Sequence, residues 1–392
     1  MNGAVGGAAL STIGLMEALG KIDVESSAVC DPAGTDEEFA QLREATAGRV
    51  EFTPLYWWNR KIRAKAWKRP LLELRQIART GWLRTSARHV ANFARRHEAD
   101  LIHTNTILTP EGARAARQLG LAHVWHVREL LGPGQPFRLP VEGQRFGTYM
   151  QKNCSKLVAN SNVTASHIQS WIPPGLLEVV PNGIDTTRFS PRTGPRGTDL
   201  FVIGMVASLT SRWKKHALLV EAASRVSRKL NAEFRIYGHD PSRGGTVAGD
   251  AYTNQLHELI RARGVADRFT WPGFIADPIQ IMSQIDVLVH PATDESFGRA
   301  VVEAMAAGVP VIGVRGGGVA EVVEHEKSGL LAAVDDPAEL ARHIERVLEN
   351  PELYCQLSEG GRRRAETEYS LESCAKRIRG VYDQAMKRPL SS

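Results

Sequence analysis

The segment from residue 294 to residue 312 reads DESFGRAVVEAMAAGVPVI. A buried strand is expected just before it, over 286–291, because that stretch is almost continuously apolar. A helix is expected over 299–307, Gly308 ends it, and a second strand follows over 310–314. A strand, a helix and a strand within about 30 residues predict one repeating unit of a parallel sheet.

The same alternation of strands and helices extends along the chain in both directions. Further helices are expected over 216–229, 251–263 and 337–349. Because nearly continuous apolar strands are covered on both faces, we expect an α/β protein with two doubly wound, Rossmann-like domains facing across a cleft. The expected strands are 25–30, 49–55, 99–106, 122–128, 156–161, 177–181, 199–208, 233–238, 268–274, 286–291, 310–314 and 329–334.

The turn-forming run Pro181-Asn182-Gly183 separates the two series of strands and helices. We therefore divide the chain into a first domain (1–180), a linker (181–198), a second domain (199–369) and a C-terminal segment (370–392). The last segment predicts a helix that packs back on the first domain. No strand precedes the glycine-rich loop at residues 2–7, although a doubly wound domain normally starts with one. Either the true start lies upstream or the sheet lacks its first strand.

Composition and cysteine spacing argue against several classes of protein. The chain has 392 residues, 43% of them hydrophobic, and no apolar run approaches the roughly 20 residues that span a bilayer. Its N-terminus lacks a basic region and contains Glu17 within the apolar stretch, so we do not expect a signal peptide. The four cysteines have no metal-ligand spacing, which is typical of a reduced, cytoplasmic protein.

Two carboxylates flank the start of the helix in the opening segment. Glu295 lies in the loop after the strand, and Glu303 lies just over one turn into the helix. The helix start presents unpaired N–H groups and the positive end of the helix dipole, which favour a diphosphate. Carboxylates would repel a phosphate, so we interpret them as acceptors for sugar and ribose hydroxyls. The alternative is a solvated helix with incidental acids.

This spacing resembles the E-x7-E signature of the retaining GT-B glycosyltransferases, specifically of glycosyltransferase family 4, also called group 1. The resemblance extends to EAMAAGVPVI at 303–312, to GGGVAEVV at 316–323 and to GLL at 329–331. The run VPNGID at 180–185 resembles the linker of the family. Gly6-Gly7-Ala8 resembles its first glycine loop, so Gly7 is a candidate donor-site residue.

The resemblance implies roles for the residues around this helix. Glu295 would accept hydrogen bonds from the donor sugar, helped by the backbone N–H groups of Phe297 and Gly298. Arg299 lies at the same helix start, and Glu303 would hold the ribose hydroxyls. The turn at 316–318 would let its backbone approach the donor, although a tight strand-to-loop connection would also explain these glycines.

The family also places a basic pair on the diphosphate, after the first strand of the second domain. Lys214 matches the lysine of that pair, and Lys215 is the alternative. Ser208 stands where the family has an arginine, which is a departure from the pattern. Arg212 is the candidate for restoring the charge. A surface lysine without a ligand is the other interpretation of position 214.

In the first domain, the strand over 122–128 resembles the family segment whose histidine lies beside the donor sugar. We assign that role to His126, with a core or capping histidine as the alternative. His103 and Asn105 end the neighbouring strand and are weaker candidates for the cleft. Asn160-Ser161 either lines the cleft or caps a helix.

The resemblance also implies a mechanism. The donor would react through a short-lived, oxocarbenium-like ion pair, and the leaving diphosphate would take the proton of the acceptor. The catalytic residues would be His126, Lys214 and Glu295, acting mostly by positioning and electrostatic stabilisation. Because no Asp-x-Asp motif stands at a matching position, we expect neither a metal nor another cofactor. The acceptor would be a glycan or a lipid-linked molecule of cell-surface polysaccharide or glycolipid biosynthesis.

Residues 56–96 form a basic stretch with interleaved tryptophans. Glu73 is the only acid between positions 60 and 96. This composition is typical of a surface that binds anionic lipid, here on the inner face of the membrane. A solvated or acceptor-binding face is the alternative, and we expect no nucleic acid because no reader motif accompanies the charges. The tryptophans are Trp57, Trp58, Trp67 and Trp82.

Two other functions share parts of this pattern. A sugar-nucleotide epimerase uses the same kind of fold and donor site. A non-catalytic partner subunit that binds a nucleotide-sugar would fit the serine at position 208 and the absent first strand. The linker and the pair of glutamates favour sugar transfer.

Overall fold

The computed structural model of the protein describes residues 7–32, 36–58, 69–132, 139–192, 194–197, 199–209, 211–239 and 251–390. Contacts divide the chain into two units, of which the first contains residues 1–183 and 371–392 and the second contains residues 184–370. The boundary between them therefore lies inside the turn at 180–185. Both units are α/β, and all of their described strand pairs are parallel.

The first unit contains two separate parallel sheets among its described residues. Their strand orders are β1-β2 and β3-β4-β5-β6. Every residue of β4 is buried, as expected for a strand that is covered on both faces. In chain order the elements are α1 (Gly7–Gly20), β1 (Ala28–Cys30), α2 (Asp36–Ala45), β2 (Val50–Phe52), α3 (Arg69–Arg96), β3 (Leu101–Thr104), α4 (Glu111–Leu119), β4 (Ala122–Val127), α5 (Gln144–Asn153), β5 (Lys156–Ala159), α6 (Asn162–Ser166) and β6 (Leu177–Val179).

The second unit is built on one six-stranded parallel sheet with the order β12-β11-β10-β7-β8-β9. The order reverses between β7 and β10, which lie next to each other in the middle of the sheet. Its elements are β7 (Phe201–Val206), α7 (His216–Ala223), β8 (Ala232–Tyr237), α8 (Ala251–Ala262), β9 (Phe269–Gly273), α9 (Pro278–Gln284), β10 (Val287–His290), α10 (Arg299–Ala306), β11 (Val311–Val314), α11 (Val319–Val322), β12 (Leu330–Ala332), α12 (Pro337–Glu349) and α13 (Pro351–Glu368).

Apolar side chains cover both faces of the six-stranded sheet. Along β10, Val287 and Val289 belong to the cluster under α7, α8, α12 and α13, whereas Leu288 belongs to the cluster under α9, α10 and α11. This split follows from the alternation of side chains along a strand. The continuous apolar run that we read as a doubly covered strand is therefore buried on both sides.

The last helix, α14 (Leu371–Met386), belongs to the first unit. It packs with α1 against one face of the sheet that contains β4 and β5. The chain enters the second unit at Ile184 and leaves it at Ser370, and these two residues form a parallel bridge. The entry and the exit of the second unit are thus adjacent.

The helix expected over 216–229 is shorter than predicted, because α7 ends at Ala223. The reason is tertiary: the guanidinium of Arg268 donates to the carbonyl oxygens of Ala223 and Val226, at 3.3 and 2.9 Å. The carboxylate of Glu345 accepts the backbone N–H of Ser227 at 2.7 Å. These partners satisfy the polar backbone groups that a longer helix would have used.

The segment expected as a linker packs on the second unit in its later part. Arg196 donates from Nε and Nη2 to the buried carboxylate of Asp286, at 3.1 and 3.0 Å. The same carboxylate accepts the backbone N–H of Val202, the second residue of β7, at 2.8 Å. The buried carboxylate of Asp286 thus links residue 196 to the central strands by hydrogen bonds.

Candidate active site

Lys214 and Glu295 meet at the carboxyl edge of the six-stranded sheet. Strand β7 leads into a short 3-10 turn at Arg212–Lys214, and β10 leads into the loop that contains Glu295. Because β7 and β10 are neighbours, their following loops lie side by side. The ammonium group of Lys214 donates a hydrogen bond to Oε2 of Glu295, and the two side chains are only 20% and 16% exposed. The structure therefore brings together two residues that the sequence placed in the donor site.

Two positive or hydrogen-bonding neighbours keep Glu295 ionised. Burial alone would raise its pKa, but the charge of Lys214 and a hydrogen bond from His290 hold the pKa of Glu295 well below its usual range. Nε2 of His290 lies 3.3 Å from Oε2 of Glu295, and burial lowers the pKa of this histidine. Glu295 is thus a fixed acceptor at the edge of the sheet.

Sequence reasoning missed His290. It is the last residue of β10, and its other ring nitrogen, Nδ1, has no hydrogen-bond partner among the described residues. A histidine that ends a buried strand, five positions before Glu295, was the available signal. A polar residue at the carboxyl end of a parallel strand points to a site rather than to the core.

The structure separates the two candidate lysines. Lys215 donates to Asp335 at 2.7 Å on the surface, where the carboxylate is 67% exposed. Lys214, by contrast, contacts Glu295. The guanidinium of Arg212 lies 5.0 Å from the centre of the Tyr252 ring. Ser208 follows β7, half-buried, and its carbonyl accepts the backbone N–H of Ser211 at 3.0 Å. The substitution of Arg212 for the family arginine at position 208 stays a prediction.

Glu303 is buried and is paired with Arg299. Nε of Arg299 donates to Oε1 of Glu303 at 2.6 Å, one helical turn away in α10. Burial raises the pKa of Glu303, and the charge of Arg299 opposes that rise. The two glutamates of the signature therefore differ, because Glu295 is held as a carboxylate and Glu303 is easier to protonate.

Close contacts with backbone atoms explain the glycines at positions 317 and 318. Gly317 has a φ of +59°, which L side chains rarely adopt. At Gly318 a Cβ atom would lie 2.6 Å from the carbonyl oxygen of Ser296 and 2.7 Å from Cα of Phe297. The N–H of Gly318 also donates to the carbonyl oxygen of Glu295 at 2.7 Å. The glycine turn thus fixes the loop that holds Glu295.

The backbone at the start of α10 also requires a glycine. Gly298 precedes the helix with a φ of +91°, so a residue with a side chain would be strained there. The side chain of Phe297 is buried and meets the ring of Tyr369 edge-on, with centroids 5.7 Å apart. Its expected contribution is its backbone N–H, and the buried ring anchors that backbone.

In the first unit, His126 is buried at the end of β4 with only 1% of its surface exposed. Burial, reinforced by the charge of Arg128, lowers its pKa well below the usual value, so the ring is neutral. Its ring lies on that of His103, with centroids 5.4 Å apart and planes 24° from parallel. Nδ1 of His103 in turn lies 2.7 Å from the hydroxyl of Tyr382 in α14.

Arg128 and Asn182 are two further residues that the sequence analysis did not identify. Nε of Arg128 donates to Oδ1 of Asn105 at 2.8 Å, and its Nη1 donates to Oδ1 of Asn182 in the turn at 180–185. Asn105, a weaker candidate, is therefore a ligand of this guanidinium. Ser161 caps α6, because its Oγ accepts the N–H of Thr164 at 2.9 Å. This is the helix-capping alternative given for that segment.

The N-terminal and basic candidates are only partly described. Gly7 is the first residue of α1 and is exposed, whereas the loop before it lies outside the described residues. In the basic stretch, residues 59–68 and the side chains of 69–80 also lie outside them. Trp57 and Trp82 are 38% and 50% exposed. Among the helices of the described ranges, none is long and apolar enough to cross a membrane.

Trp58 does not belong to the basic surface, so its grouping with the surface tryptophans was wrong. It is buried, its Nε1 donates to the carbonyl oxygen of Ile107 at 2.6 Å, and its ring stacks on Trp125 at 5.7 Å. The apolar ring is stabilised in the core of the first unit, where its N–H also finds a partner.

Comparison with known families follows the same division of the chain. The profile described as Glycosyltransferase Family 4 matches residues 5–188, and the profile described as Glycosyl transferases group 1 matches residues 187–364. The chain belongs to the group 1 glycosyltransferases, that is, to glycosyltransferase family 4. It is therefore a glycosyltransferase, and the second profile includes Lys214, Glu295 and Glu303.

Individual relatives of this glycosyltransferase are distant. The MMP alpha-(1->4)-mannosyltransferase of Mycolicibacterium hassiacum is 28% identical over 75% of this chain and 72% of its own. The D-inositol 3-phosphate glycosyltransferase of Geodermatophilus obscurus is 34% identical over 54% of this chain and 48% of its own.

Solved structures show the fold. Anabaena HepE in complex with UDP and glucose is 24% identical, with a TM-score of 0.73 and 97% of both chains covered. A glycosyltransferase from Rickettsia africae is 18% identical, with a TM-score of 0.75 and coverage of 98% and 96%. The fold of this glycosyltransferase is accordingly GT-B, with two Rossmann-like units.

Proposed function

We propose that this glycosyltransferase transfers a sugar, with retention, from a nucleoside diphosphate sugar to a hydroxyl group of its acceptor. The observation that carries the proposal is the contact of Lys214 with Glu295 beside the start of α10. An ionised acceptor, an ammonium group and a helix N-terminus lie together there, which fits a hydroxyl-rich sugar joined to a diphosphate.

The proposed reaction needs little covalent chemistry from the protein. The bond between the anomeric carbon and the diphosphate oxygen breaks, and the acceptor hydroxyl attacks from the same face. The departing phosphate oxygen takes the hydroxyl proton. Lys214 and the N–H groups at the start of α10 would stabilise the negative charge that develops on the leaving group. We propose that these groups act without a divalent metal.

We propose roles for Glu303 and for His126 as well. Glu303 would exchange its contact with Arg299 for hydrogen bonds from the ribose hydroxyls. A neutral, buried His126 would lie beside the donor sugar, where a nearby cation would oppose the positive charge on the anomeric carbon. Burial lowers the pKa of His126, so its ring adds no such charge.

UDP is the first donor nucleotide to test, because HepE binds it. We propose a glycan or lipid-linked acceptor and a place in cell-surface polysaccharide or glycolipid synthesis. The exposed Trp82, with Arg84, Arg88 and Arg95 exposed on the same helix, supports peripheral binding to anionic lipid on the cytoplasmic face. Sedimentation with anionic vesicles at low salt tests this, and no binding would refute the membrane proposal.

The donor assignment is tested by thermal shift with UDP, GDP and ADP, each with and without EDTA. A nucleotide that binds the folded state raises the melting temperature. We expect one nucleotide to give a shift that EDTA does not change and that Glu303→Ala reduces. The control is Glu352→Ala, which removes an exposed carboxylate from α13 of the same unit and is expected to leave the shift unchanged.

Three outcomes would contradict parts of the proposal. A shift lost with EDTA would refute metal independence. A full shift in Glu303→Ala would refute its ribose role. Nucleotide binding without transfer to any acceptor would indicate a binding subunit rather than an enzyme.

A further inference from the structure

No described residue forms a hydrogen bond that fixes the ring of His126. Both of its ring nitrogens lack a partner among the described residues, and the side chain is almost fully buried. Histidines at functional sites usually have one nitrogen oriented by a second group. The ring contact that the structure shows for His126 is the stack on His103. The orientation of His126 therefore depends on that of His103.

His103 is oriented by α14. Its Nδ1 lies 2.7 Å from the hydroxyl of Tyr382, and the two rings meet edge-on at 87° with centroids 5.7 Å apart. Nε2 of His103 has no partner among the described residues. Burial, with the charges of Arg128 and His123, lowers the pKa of His103 to about 3, so this ring is neutral.

The direction of this hydrogen bond follows from counting unsatisfied groups. If the hydroxyl of Tyr382 donates to Nδ1, only the Nε2–H of His103 remains unpaired. If Nδ1–H donates instead, both Nε2 and the tyrosine O–H remain unpaired, which costs more in a buried site. Burial also raises the pKa of Tyr382, so its proton is always present. Tyr382 is the donor.

Tyr382 is itself held firmly. Its ring is buried in the cluster that α14 forms with the sheet, together with Cys374, Ile378 and Val124. The position of α14 on the sheet thus sets where the hydroxyl lies. Strand β3 provides His103, β4 provides His126, and a helix that follows the second unit in sequence provides the group that orients both rings.

We infer that Tyr382 is a positioning residue for sugar transfer: it fixes the ring of His103, and this ring fixes that of His126. The inference rests on the proposed function, because it requires His126 to act in the transfer. It assigns to α14 a part in the chemistry in addition to its packing.

The test is Tyr382→Phe, measured as release of nucleoside diphosphate from a sugar donor of the nucleotide that the thermal shift identifies. We expect kcat to fall about tenfold, because small displacements of catalytic groups are costly, and KM for the donor to stay within about twofold of the wild-type value, because no donor contact is removed. The matched control is Tyr354→Phe. It removes another buried tyrosine hydroxyl, which donates to the carbonyl oxygen of Asp286 at 3.1 Å, and it should leave kcat unchanged.

A second readout does not depend on turnover. In 15N-histidine spectra of the full chain, Tyr382→Phe should shift the ring signals of both His103 and His126, which single substitutions of each histidine would assign. If Tyr382→Phe does not fold, His103→Gln removes the stacking ring directly and should lower kcat to a similar extent.

The possible failures are distinguishable. A wild-type kcat in Tyr382→Phe, with an inactive His126→Ala, would overturn the positioning role and leave the proposed function standing. An active His126→Ala would refute the role of His126 and this inference with it. Spectra in which His103 moves and His126 does not would also overturn the inference.

Discussion

Replacing Lys214 by methionine removes the positive charge beside Glu295 and keeps a side chain of similar length. Removing one partner of a buried ion pair costs about 3–5 kcal/mol. This pair is 20% and 16% exposed, and His290 still contacts the carboxylate. We therefore expect a loss of about 2–3 kcal/mol at pH 7, which lowers the melting temperature by roughly 5–10 °C for a domain of this size.

The loss should depend on pH in a defined direction. The pKa of Glu295 in the folded protein lies below its usual value of 4.5, so the pair stabilises the fold above that pH and the contribution disappears as pH falls toward the folded pKa. In Lys214→Met, burial raises the pKa of Glu295, so the variant takes up a proton at a higher pH than the wild type. The difference in stability between the two proteins should therefore shrink as the pH falls below about 5.

Urea unfolding of the full chain between pH 4 and pH 8 measures this difference. Lys215→Met is the control, because Lys215 forms a surface pair with Asp335, and such pairs contribute about 1 kcal/mol or less. The double variant Lys214→Met/Glu295→Gln should recover part of the loss, because it leaves no buried charge. Equal stabilities for Lys214→Met and Lys215→Met at pH 7 would refute the reasoning.

Three further outcomes are expected. Gly318→Ala should destabilise the protein by more than about 2 kcal/mol, because the new Cβ would lie 2.6 Å from a backbone oxygen. Gly380→Ala in α14 is the control: no described atom lies within 4 Å of its new Cβ, so it should be neutral or stabilising by up to about 1 kcal/mol. Thermal melts compare the two variants, and equal losses of stability would refute the steric argument for Gly318. Arg299→Met should cost about 1–3 kcal/mol in urea unfolding, because it leaves Glu303 buried and unpaired, and Arg299→Met/Glu303→Gln should recover part of that cost. The pKa of buried His123 is lowered to about 4, so as the pH falls this histidine is protonated in the unfolded chain before it is protonated in the folded protein. The free energy of unfolding should therefore decrease below pH 6.5, by up to about 1.4 kcal/mol per pH unit. An unchanged dependence of stability on pH in His123→Asn would refute this contribution of His123.

The local part of the site was predictable from sequence. The run of apolar residues before position 291, the glycine at 308 and the spacing of Glu295 and Glu303 are all local patterns, and strand β10, helix α10 and strand β11 lie where these patterns put them. Lys214 was more difficult, since Lys215 stands next to it. The turn at Arg212–Lys214 directs the first lysine to Glu295 and the second to Asp335.

The missed residues share a physical reason. Arg128 and Asn182 are 54 positions apart, and His103 and Tyr382 are 279 positions apart. No short-range periodicity reports such a contact, because parallel strands and a returning helix create it. The shortened α7 has the same origin, because Arg268, far along the chain, takes the carbonyl groups at its end.

The adjacency of Ile184 and Ser370 has a consequence for biosynthesis. Residues 184–370 form one continuous segment whose two ends meet, so the second unit can complete its own contacts without the stretch that begins at Leu371. The first unit, although translated earlier, has to wait for α14 before one face of its sheet is covered. Until then the nascent chain exposes Val124 and Val158, so the first half of the protein is the part for which a chaperone would matter most.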